Sequence, residues 1–566
     1  MRKVGVFICH CGINIAGSVD VEKVAEEIKR YPGVAFATTY KYTCSDPGQQ
    51  IIKDAIQEHG LDGAVVAACS PAMHETTFRR TAAAAGMNPY LLECANIREQ
   101  CSWVHQNDRA RATDKALYTI QSMVEKVKRN EALDPLSLPL TKKAMVIGGG
   151  IAGITAALDL ADAGYTVILV EKSDHLGGKM ADLSGTYLNF AAAPDLLARR
   201  IDRIVSHSNI QVITGAQVTQ VDGYVGNFKA MVKCVGQDVI LSYDIGAIVA
   251  ATGYERYPQS KLPEYGGGTI PDVIDALTFE AMLAPGATLA RPSDGKTPRE
   301  VVFVQCAGSR DPEHGVPYCS KVCCMVVAKQ AMLFKERVPH GQAYVFYIDI
   351  RSAGKGYDEY VQRAMTDARA LYLRGKVSKI YQDGQKVIVW GSDTLSGRAV
   401  EIAADLVVLA TPMAALDGAK ELAQRLHIST DANGFYNEAH PKLRPVESLT
   451  AGVFLAGAGQ GPKDIPETVA QASAAAAKVL QLFSRDEMKA EPTIAQVIPE
   501  LCSACGLCVK ACPYGARQVD EILGVATVNP ALCQACGACA AACPNKASVV
   551  RNWTPTQILF MADVLV

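Results

Sequence analysis

The sequence predicts an α/β protein with a small N-terminal α/β domain, a central core of two Rossmann-like halves and a small C-terminal α+β domain. Three observations carry that reading. Strand-like and helix-like segments alternate through the first 130 residues. Lys142 to Gly178, KKAMVIGGGIAGITAALDLADAGYTVILVEKSDHLGG, reads as strand, glycine turn, helix and strand. Near the C-terminus a four-cysteine run recurs after 31 residues.

Size and composition set the frame. A chain of 566 residues has room for roughly three or four domains of ~100–200 residues each. With 49% of residues hydrophobic and 20% charged, sizeable cores are possible throughout. A net charge of −2 argues against a nucleic-acid partner. No run of ~18 apolar residues occurs, so no membrane span is expected, and Met1 to Ile8 is too short and too soon followed by His10 and Asn14 to be a signal segment. The expectation is a soluble cytoplasmic protein. In a reducing compartment its 19 cysteines point to metal ligation or redox chemistry rather than a disulfide framework.

Residues 1–130 form the first domain, with strands expected at Lys3 to Ile8, Val34 to Tyr40, Gly63 to Ala68 and Pro89 to Leu92 and helices at Val21 to Arg30 and Gln49 to His59. Cys9, Cys11, Cys44, Cys69 and Cys94 fall just past the ends of the strand runs. Ligand sites of open parallel sheets form outside those ends, so Cys9, Cys11, Cys44 and Cys69 are candidate ligands of one [4Fe-4S] cluster, with Cys94 and Cys101 as alternatives. The competing reading is that these are small buried hydrophobes. A helix over Asp108 to Arg129 closes the domain, and residues 131–140, with Pro135 and Pro139, read as a linker.

Residues 141–256 are the first part of a dinucleotide domain. Gly148, Gly150 and Gly153 make G-x-G-x-x-G at the start of a helix, where backbone amides and the helix dipole receive a pyrophosphate. Glu171, closing the second strand, suits a ribose hydroxyl and disfavours a 2′-phosphate. Gly177 and Gly178 after the acid resemble the flavoprotein version of the motif, which selects FAD. Ala152, Lys172 and Lys179 complete this group of candidate cofactor contacts. Ile248 to Tyr254, IVAATGY, reads as a strand with Thr252 and Gly253 at its end, resembling the exit from the FAD domain in flavoproteins of the thioredoxin reductase type. The domain resumes over residues 440–484, where Gly457, Lys463, Asp464 and Ile465 precede an Ala-rich helix whose N-terminus would face the flavin. Those flavoproteins usually have Asp after the loop glycine, whereas Ala458 stands here.

Residues 257–439 read as the second Rossmann-like domain, with a strand at Val301 to Val304, a helix over Lys321 to Glu336 and a strand at Ala343 to Ile350. Its first turn, Gln305-Cys306-Ala307-Gly308-Ser309-Arg310, lacks the glycine cradle that a nicotinamide dinucleotide needs. Cys306, Cys319, Cys323 and Cys324 occupy that region instead, pointing to an iron–sulfur cluster where nicotinamide would bind. A redox-active disulfide and structural thiols are the competing readings. Lys329, one or two helical turns beyond Cys324, is the candidate catalytic residue, placed to position or neutralise flavin or cluster.

After a linker at 485–499, residues 500–550 carry Cys502-x2-Cys505-x2-Cys508-x3-Cys512-Pro and its repeat Cys533-x2-Cys536-x2-Cys539-x3-Cys543-Pro. This is the bacterial two-cluster ferredoxin spacing, in which the fourth cysteine of each run serves the other cluster. One set is then Cys502, Cys505, Cys508 and Cys543; the other is Cys533, Cys536, Cys539 and Cys512. Residues 551–566 form an extension.

Taken with CHCGINIAG at the start, CSDPGQ at Cys44, ACSPAMHE at Cys69, NIREQCSWVH and GQGPKDIPETVAQA, these motifs identify the chain as resembling the A subunit of heterodisulfide reductase over residues 1–545. The resemblance implies FAD and four [4Fe-4S] clusters, and a flavin that splits electron pairs between a high-potential disulfide-type acceptor and low-potential ferredoxin, in anaerobic metabolism such as methanogenesis. It implies as partners B- and C-like subunits, soluble ferredoxin, and a donor such as a hydrogenase, formate dehydrogenase or small iron–sulfur adaptor, with a dimeric chain inside a larger complex. Two further readings stand beside it, a simple electron relay and a ferredoxin or thiol reductase of thioredoxin reductase type. Longer family members carry an inserted two-cluster ferredoxin domain in the FAD half, and no such cysteine set lies between Gly178 and Cys306 here.

Overall fold

The computed structural model describes residues 2–236 and 239–565; Met1, Gln237, Asp238 and Val566, inside the segments expected above, lie outside it. The chain divides into two units, one joining Met1–Leu138 with Glu487–Val566 and the other spanning Pro139–Asp486. The first and last domains expected from the sequence therefore belong to one unit.

In that unit a parallel sheet runs in the order Val34–Tyr40, Val4–Cys9, Gly63–Ala68, Leu92–Asn96. The two central strands are buried along their whole length, as strands covered on both faces must be. Helix Val21–Ile28 begins where Asp20 accepts from the Lys23 amide, and buries Val21, Val24, Ala25 and Ile28 along one stripe. Ser45 caps helix Asp46–Glu58 in the same way, which brings Cys44 directly before a helix start. The fourth strand departs from expectation. Asn88 accepts from the Tyr90 amide and starts a 3-10 turn over Pro89–Leu91, so the strand is displaced to Leu92–Asn96 and Cys94 lies within it rather than past its end.

The ferredoxin part contributes two antiparallel pairs, Ala495–Val497 with Ser548–Val550 and Arg517–Asp520 with Val525–Val528. The stretches read as linkers are in part ordered strands: Leu136–Pro139 pairs with Glu487–Ala490, and Ala495–Val497 belongs to the ferredoxin fold. The terminal extension forms helix Pro555–Asp563, opened by a capping box between Thr554 and Gln557. It packs on helix Arg109–Val127, where Ser122 Oγ donates to the Met561 carbonyl at 3.0 Å, Gln557 Nε2 donates to Asn130 Oδ1 at 2.9 Å, and the Arg129 guanidinium lies 3.3 Å from the Phe560 ring centroid.

The second unit holds two five-stranded parallel sheets. The first runs Val453–Leu455, Ala247–Ala250, Lys143–Ile147, Thr166–Val170, Ile210–Ile213, and the second Val273–Asp275, Leu406–Leu409, Glu300–Val304, Gln342–Tyr347, Leu371–Arg374. Each half adds a three-stranded antiparallel sheet. In the first half it is built from Ala216–Tyr224, Asn227–Cys234 and Ile240–Ile245, and in the second from Val377–Asp383, Lys386–Asp393 and Arg398–Ala404. The expected strand Ile248 to Tyr254 stops at Ala250. After a turn, Tyr254–Arg256 starts a separate strand antiparallel to Met413–Ala415. Helix Cys323–Arg337 begins two residues later than expected, because Lys321 takes a left-handed conformation (φ 49°). Among the described residues no helix is long and apolar enough to cross a membrane.

One buried ion pair supports the first unit. Lys126, fully buried, pairs with Glu93 of the edge strand, and Asn130 Nδ2 donates to the same carboxylate oxygen at 2.8 Å. Replacing Glu93 with Gln strands the ammonium without its counter-charge, and we expect a loss of about 3–5 kcal/mol, read as a lower denaturation midpoint with an unchanged denaturant slope.

Candidate functional site

A cavity of about 720 Å³ opens at the carboxyl ends of the first Rossmann sheet, well within the ~300–1,000 Å³ range of cofactor sites. The glycine turn forms one wall. Gly148 has φ 110°, and a Cβ there would stand 2.3 Å from the Ala251 carbonyl; at Gly153 a Cβ would meet the Gly148 carbonyl at 1.8 Å. These two glycines hold strand and helix together, and Gly153 does not reach the cavity. Gly150 differs: the nearest protein atom to its Cβ position is 3.8 Å away, so that face of the backbone is left open to a ligand. Glu171 accepts from the Gly149 amide and, through its other oxygen, from the Ser173 amide at 2.8 Å.

Of the residues expected to contact a cofactor, Gly148, Gly150, Ala152, Glu171, Gly178, Lys179, Thr252, Gly253, Lys463, Asp464 and Ile465 line the cavity. Lys172, Gly177 and Gly457 do not. Lys172 stands just past the strand, outside the cavity wall, Gly177 makes a left-handed turn (φ 124°) beside Leu197, and the Gly457 amide is spent on Gln471 Oε1 at 2.8 Å. Asp464 is the N-cap of helix Ile465–Phe483, in a capping box with Glu467. Its second oxygen accepts from Tyr187 at 2.7 Å and Tyr357 at 2.6 Å, so this carboxylate is fully engaged in holding the helix N-terminus at the cavity. No sequence signal links Tyr187 to a residue 277 positions away.

Lys329 also lines the cavity, but its ammonium is already committed. Nζ lies 2.5 Å from Glu280 Oε1 and donates to the Gly185 carbonyl at 2.7 Å, and Glu280 receives further donation from Ser184 and Gln330. Burial alone would raise the Glu280 carboxyl; the charge of Lys329 and these donors bring it below its ordinary value, so the pair is ionic. Burial acts on Lys329 in the other direction, lowering its pKa against the attraction of Glu280. Beside this pair, Gln330 Oε1 is buried with no partner in the protein, a free acceptor in the wall of a site suited to a polar ring system such as flavin.

Cys323 reaches the same cavity. It is the first residue of helix Cys323–Arg337, and Cys306, Cys319 and Cys324 are close enough to influence its charge. The turn at 305–310 is held by left-handed Cys306, Gly308 and Arg310. Arg310 pairs with Asp349 at 2.9 Å, and Lys321 pairs with Glu467 of the helix cap. The Lys321 amide donates to Cys319 Sγ at 3.2 Å and the Arg351 amide to Cys324 Sγ at 3.4 Å. Gln305 Nε2 and Ser309 Oγ are buried without partners next to these thiols. Burial and mutual repulsion push Cys323 upward and Cys324 up to about 11.

The N-terminal thiols form a second group. Cys9, Cys11, Cys44 and Cys69 lie at the carboxyl ends of the parallel strands or in the loops beyond and are near enough to affect one another. Arg98 Nη1 stands 3.2 Å from Cys11 Sγ, with Glu99 holding the guanidinium. The Cys11 and Thr43 amides donate to Cys9 Sγ at 3.3 and 3.5 Å. Cys101 is elsewhere, donating to the Ala112 carbonyl at 3.0 Å inside the helix-covered core, and Cys94 is buried in the strand.

In the tail, one small cavity is lined by Cys502, Cys505, Cys508 and Cys543, and a second by Cys512, Cys533, Cys536 and Cys539. These are the two crossed sets that the spacing implies. The Ala526 amide donates to Cys502 Sγ and the Ala495 amide to Cys533 Sγ, both at 3.3 Å. Burial would raise Cys543, but the amides of Ser548 and Ala547 hold it below the ordinary thiol range. Among the described residues no three His, Cys, Asp or Glu side chains close around a point as for a single metal ion.

A Rossmann cavity with the Cys323 thiol in its wall, joined in one chain to crossed ferredoxin cysteine sets, defines an oxidoreductase that is both a flavoprotein and a [4Fe-4S] protein. Family models agree: residues 142–285 match pyridine nucleotide-disulphide oxidoreductase, and residues 501–547 match the 4Fe-4S dicluster domain. The chain is 41% identical to the second iron-sulfur A subunit of CoB--CoM heterodisulfide reductase from Methanopyrus kandleri, over 92% of this chain and 91% of that one. It is 38% identical to the A subunit of H(2):CoB-CoM heterodisulfide,ferredoxin reductase from Methanothermobacter marburgensis, with the same two coverages. It belongs to the A-subunit family of heterodisulfide reductases. Among solved structures, T. acidophilum thioredoxin reductase aligns at 18% identity over 61% of this chain and 98% of that one, with a TM-score of 0.42.

Gly148→Ala puts a Cβ against the Ala251 carbonyl in a backbone region that L residues avoid. The purified variant should lose its flavin absorbance while retaining the iron bound in the tail, measured as flavin and iron per chain.

Proposed function

We propose that this chain is the flavin-based electron-bifurcating component of a heterodisulfide-reductase-like complex, taking electrons in pairs and passing them singly to iron–sulfur centres on two branches of different potential. One observation carries the reading: Cys323, with Cys306, Cys319 and Cys324 around it, stands in the wall of the dinucleotide cavity where a second Rossmann turn would otherwise cradle a nicotinamide dinucleotide. FAD, held through the turn at 148–153 and Glu171, supplies exchange between one- and two-electron chemistry. The chain's own residues hold it in place: helix Ile465–Phe483 presents its N-terminus and favours negative charge there, and the Lys329–Glu280 pair fixes the opposite wall.

The name of the Methanothermobacter relative couples a heterodisulfide and ferredoxin in one enzyme, which supports two acceptors. In this reading B- and C-like subunits carry the disulfide chemistry, soluble ferredoxin is the low-potential acceptor, and a hydrogenase, formate dehydrogenase or small iron–sulfur adaptor is the donor. The alignment with the Methanopyrus relative runs over 599 positions against 566 residues here. That relative therefore has residues without counterparts in this chain, in line with the missing inserted ferredoxin domain.

The complement would be one FAD and four [4Fe-4S] clusters: two in the tail, one at the Cys306 group and one at Cys9, Cys11, Cys44 and Cys69. Anaerobically purified protein should contain about 16 iron per chain, and about 8 would leave only the tail pair. Cys323→Ala should remove one cluster's worth of iron, keep FAD bound, and stop flavin electrons from reaching the tail centres in a stopped-flow experiment. Neither NADH nor NADPH should bleach the flavin, since the second turn offers no pyrophosphate cradle. Bifurcation predicts that the flavin titrates in a single two-electron step; two well-separated one-electron steps would establish the relay instead.

A further inference from the structure

Within the tail repeat, Arg517 and Ser548 hold equivalent places, each five residues after the closing cysteine of its run, Cys512 and Cys543. Arg517 starts strand Arg517–Asp520 and is only 4% exposed. Its Nη2 donates to Ser548 Oγ at 3.0 Å, which joins the two halves of the repeat. Its Nε and Nη1 are buried and have no partner in the protein. No carboxylate among the described residues pairs with it. Arg517 is also in the wall of both cysteine cavities, the one bounded by Cys502, Cys505, Cys508 and Cys543 and the one bounded by Cys512, Cys533, Cys536 and Cys539.

A guanidinium taken out of water with two idle donors and no counter-ion is strongly unfavourable. Hydrophobic side chains would fill the same space between two small cavities at lower cost. The charge is accounted for if what occupies the cavities is anionic. A [4Fe-4S] centre with four thiolates carries net negative charge in both of its usual states and one unit more when reduced.

We propose that Arg517 is a shared cationic partner of the two tail clusters, directing its free N–H groups at the sulfurs on either side and raising both reduction potentials. The proposal rests on the reading that both cavities hold [4Fe-4S] clusters. Each reduction adds one electron to a cluster and makes or breaks no bond. A fixed cation favours the more negative product, and net charge and hydrogen bonds to sulfur are among the factors that set such potentials. The consequence is a tail whose two centres are tuned together by one side chain, as stations that accept electrons readily.

The test uses the full-length protein, prepared without oxygen and titrated against dithionite with EPR detection, the tail signals being assigned by their loss in Cys505→Ala and Cys536→Ala. Arg517→Met keeps much of the volume and removes the charge. With iron content unchanged, both tail clusters should become at least tenfold harder to reduce, a fall of ~59 mV for a one-electron step. Unmoved potentials in the loaded variant, or movement of only one cluster, would overturn the shared role. If Arg517→Met does not load iron, wild-type protein labelled with 15N-arginine decides. Hyperfine coupling from nitrogen to both reduced tail clusters, absent in Arg517→Lys, upholds the proposal, and no coupling refutes it. A wild-type tail that lacks its eight iron atoms would be a separate failure, that of the cluster reading itself.

Discussion

Negative charge gathered inside a protein must be balanced where it sits, and this requirement organises each cysteine group of the chain. Thiols gathered out of water resist ionisation, and burial, followed by the charge of neighbouring thiols, pushes Cys306, Cys323 and Cys324 upward. Each group is also built against a basic side chain: Arg98 beside Cys11, Arg310 near Cys306 and Cys319, Arg517 between the tail cavities. The three differ in how that base is held. Glu99 shares Arg98, Asp349 shares Arg310, and only a serine hydroxyl holds Arg517.

The architecture supplies the rest of the placement. A parallel sheet delivers the loop that follows each strand to one edge, and the three parallel sheets described here each place candidate site residues there: Cys9 and Cys69 in the first, Gly148 to Gly153 in the second, Gln305 to Arg310 in the third. The two Rossmann halves share a plan of five parallel strands with an antiparallel three-stranded addition, yet their first turns have diverged. Where the first half has open backbone at Gly150, the second has left-handed Cys306 and a thiol. A dinucleotide needs the former, and the cluster proposed above would use the latter. In that proposal the same fold position serves two different kinds of binding, depending on whether the turn presents amides or sulfur.

Much of this was legible in the sequence because it is written in short-range spacing. The glycine turn, the acid that ends the next strand and the crossed tail cysteines each depend on residues within a few dozen positions, and their geometry follows once strand and helix are assigned. What escaped is long-range. Tyr187 and Tyr357 meet at Asp464, Glu280 anchors Lys329, and helix Pro555–Asp563 lies on helix Arg109–Val127 of its own unit. Lys172, Gly177 and Gly457 are neighbours of motif residues, but adjacency does not say which way a residue faces, and all three stay off the cavity wall. Cys94 departs from expectation for a related reason: a one-turn 3-10 helix moves its strand by a few residues, so that Cys94 lies within the strand instead of past its end.

Lys329 shows why position alone does not assign a role. It stands in the wall of the cavity, as its helical spacing from Cys324 implied, yet its charge is neutralised by Glu280 and its remaining hydrogen-bonding capacity is partly used by the Gly185 carbonyl. A group held in this way cannot readily deliver a proton, because releasing one would leave the Glu280 carboxylate buried and unpaired. It can instead fix the spacing between helix Cys323–Arg337 and the segment at 184–185, and so the distance between the Cys323 thiol at the start of that helix and the opposite wall of the cavity. Since the same helix carries both the ion pair and the thiol, the pair's rigidity is passed directly to the sulfur that faces the cavity. For the electron transfer proposed above, a buried ion pair that immobilises a wall is more useful than an acid or base that titrates.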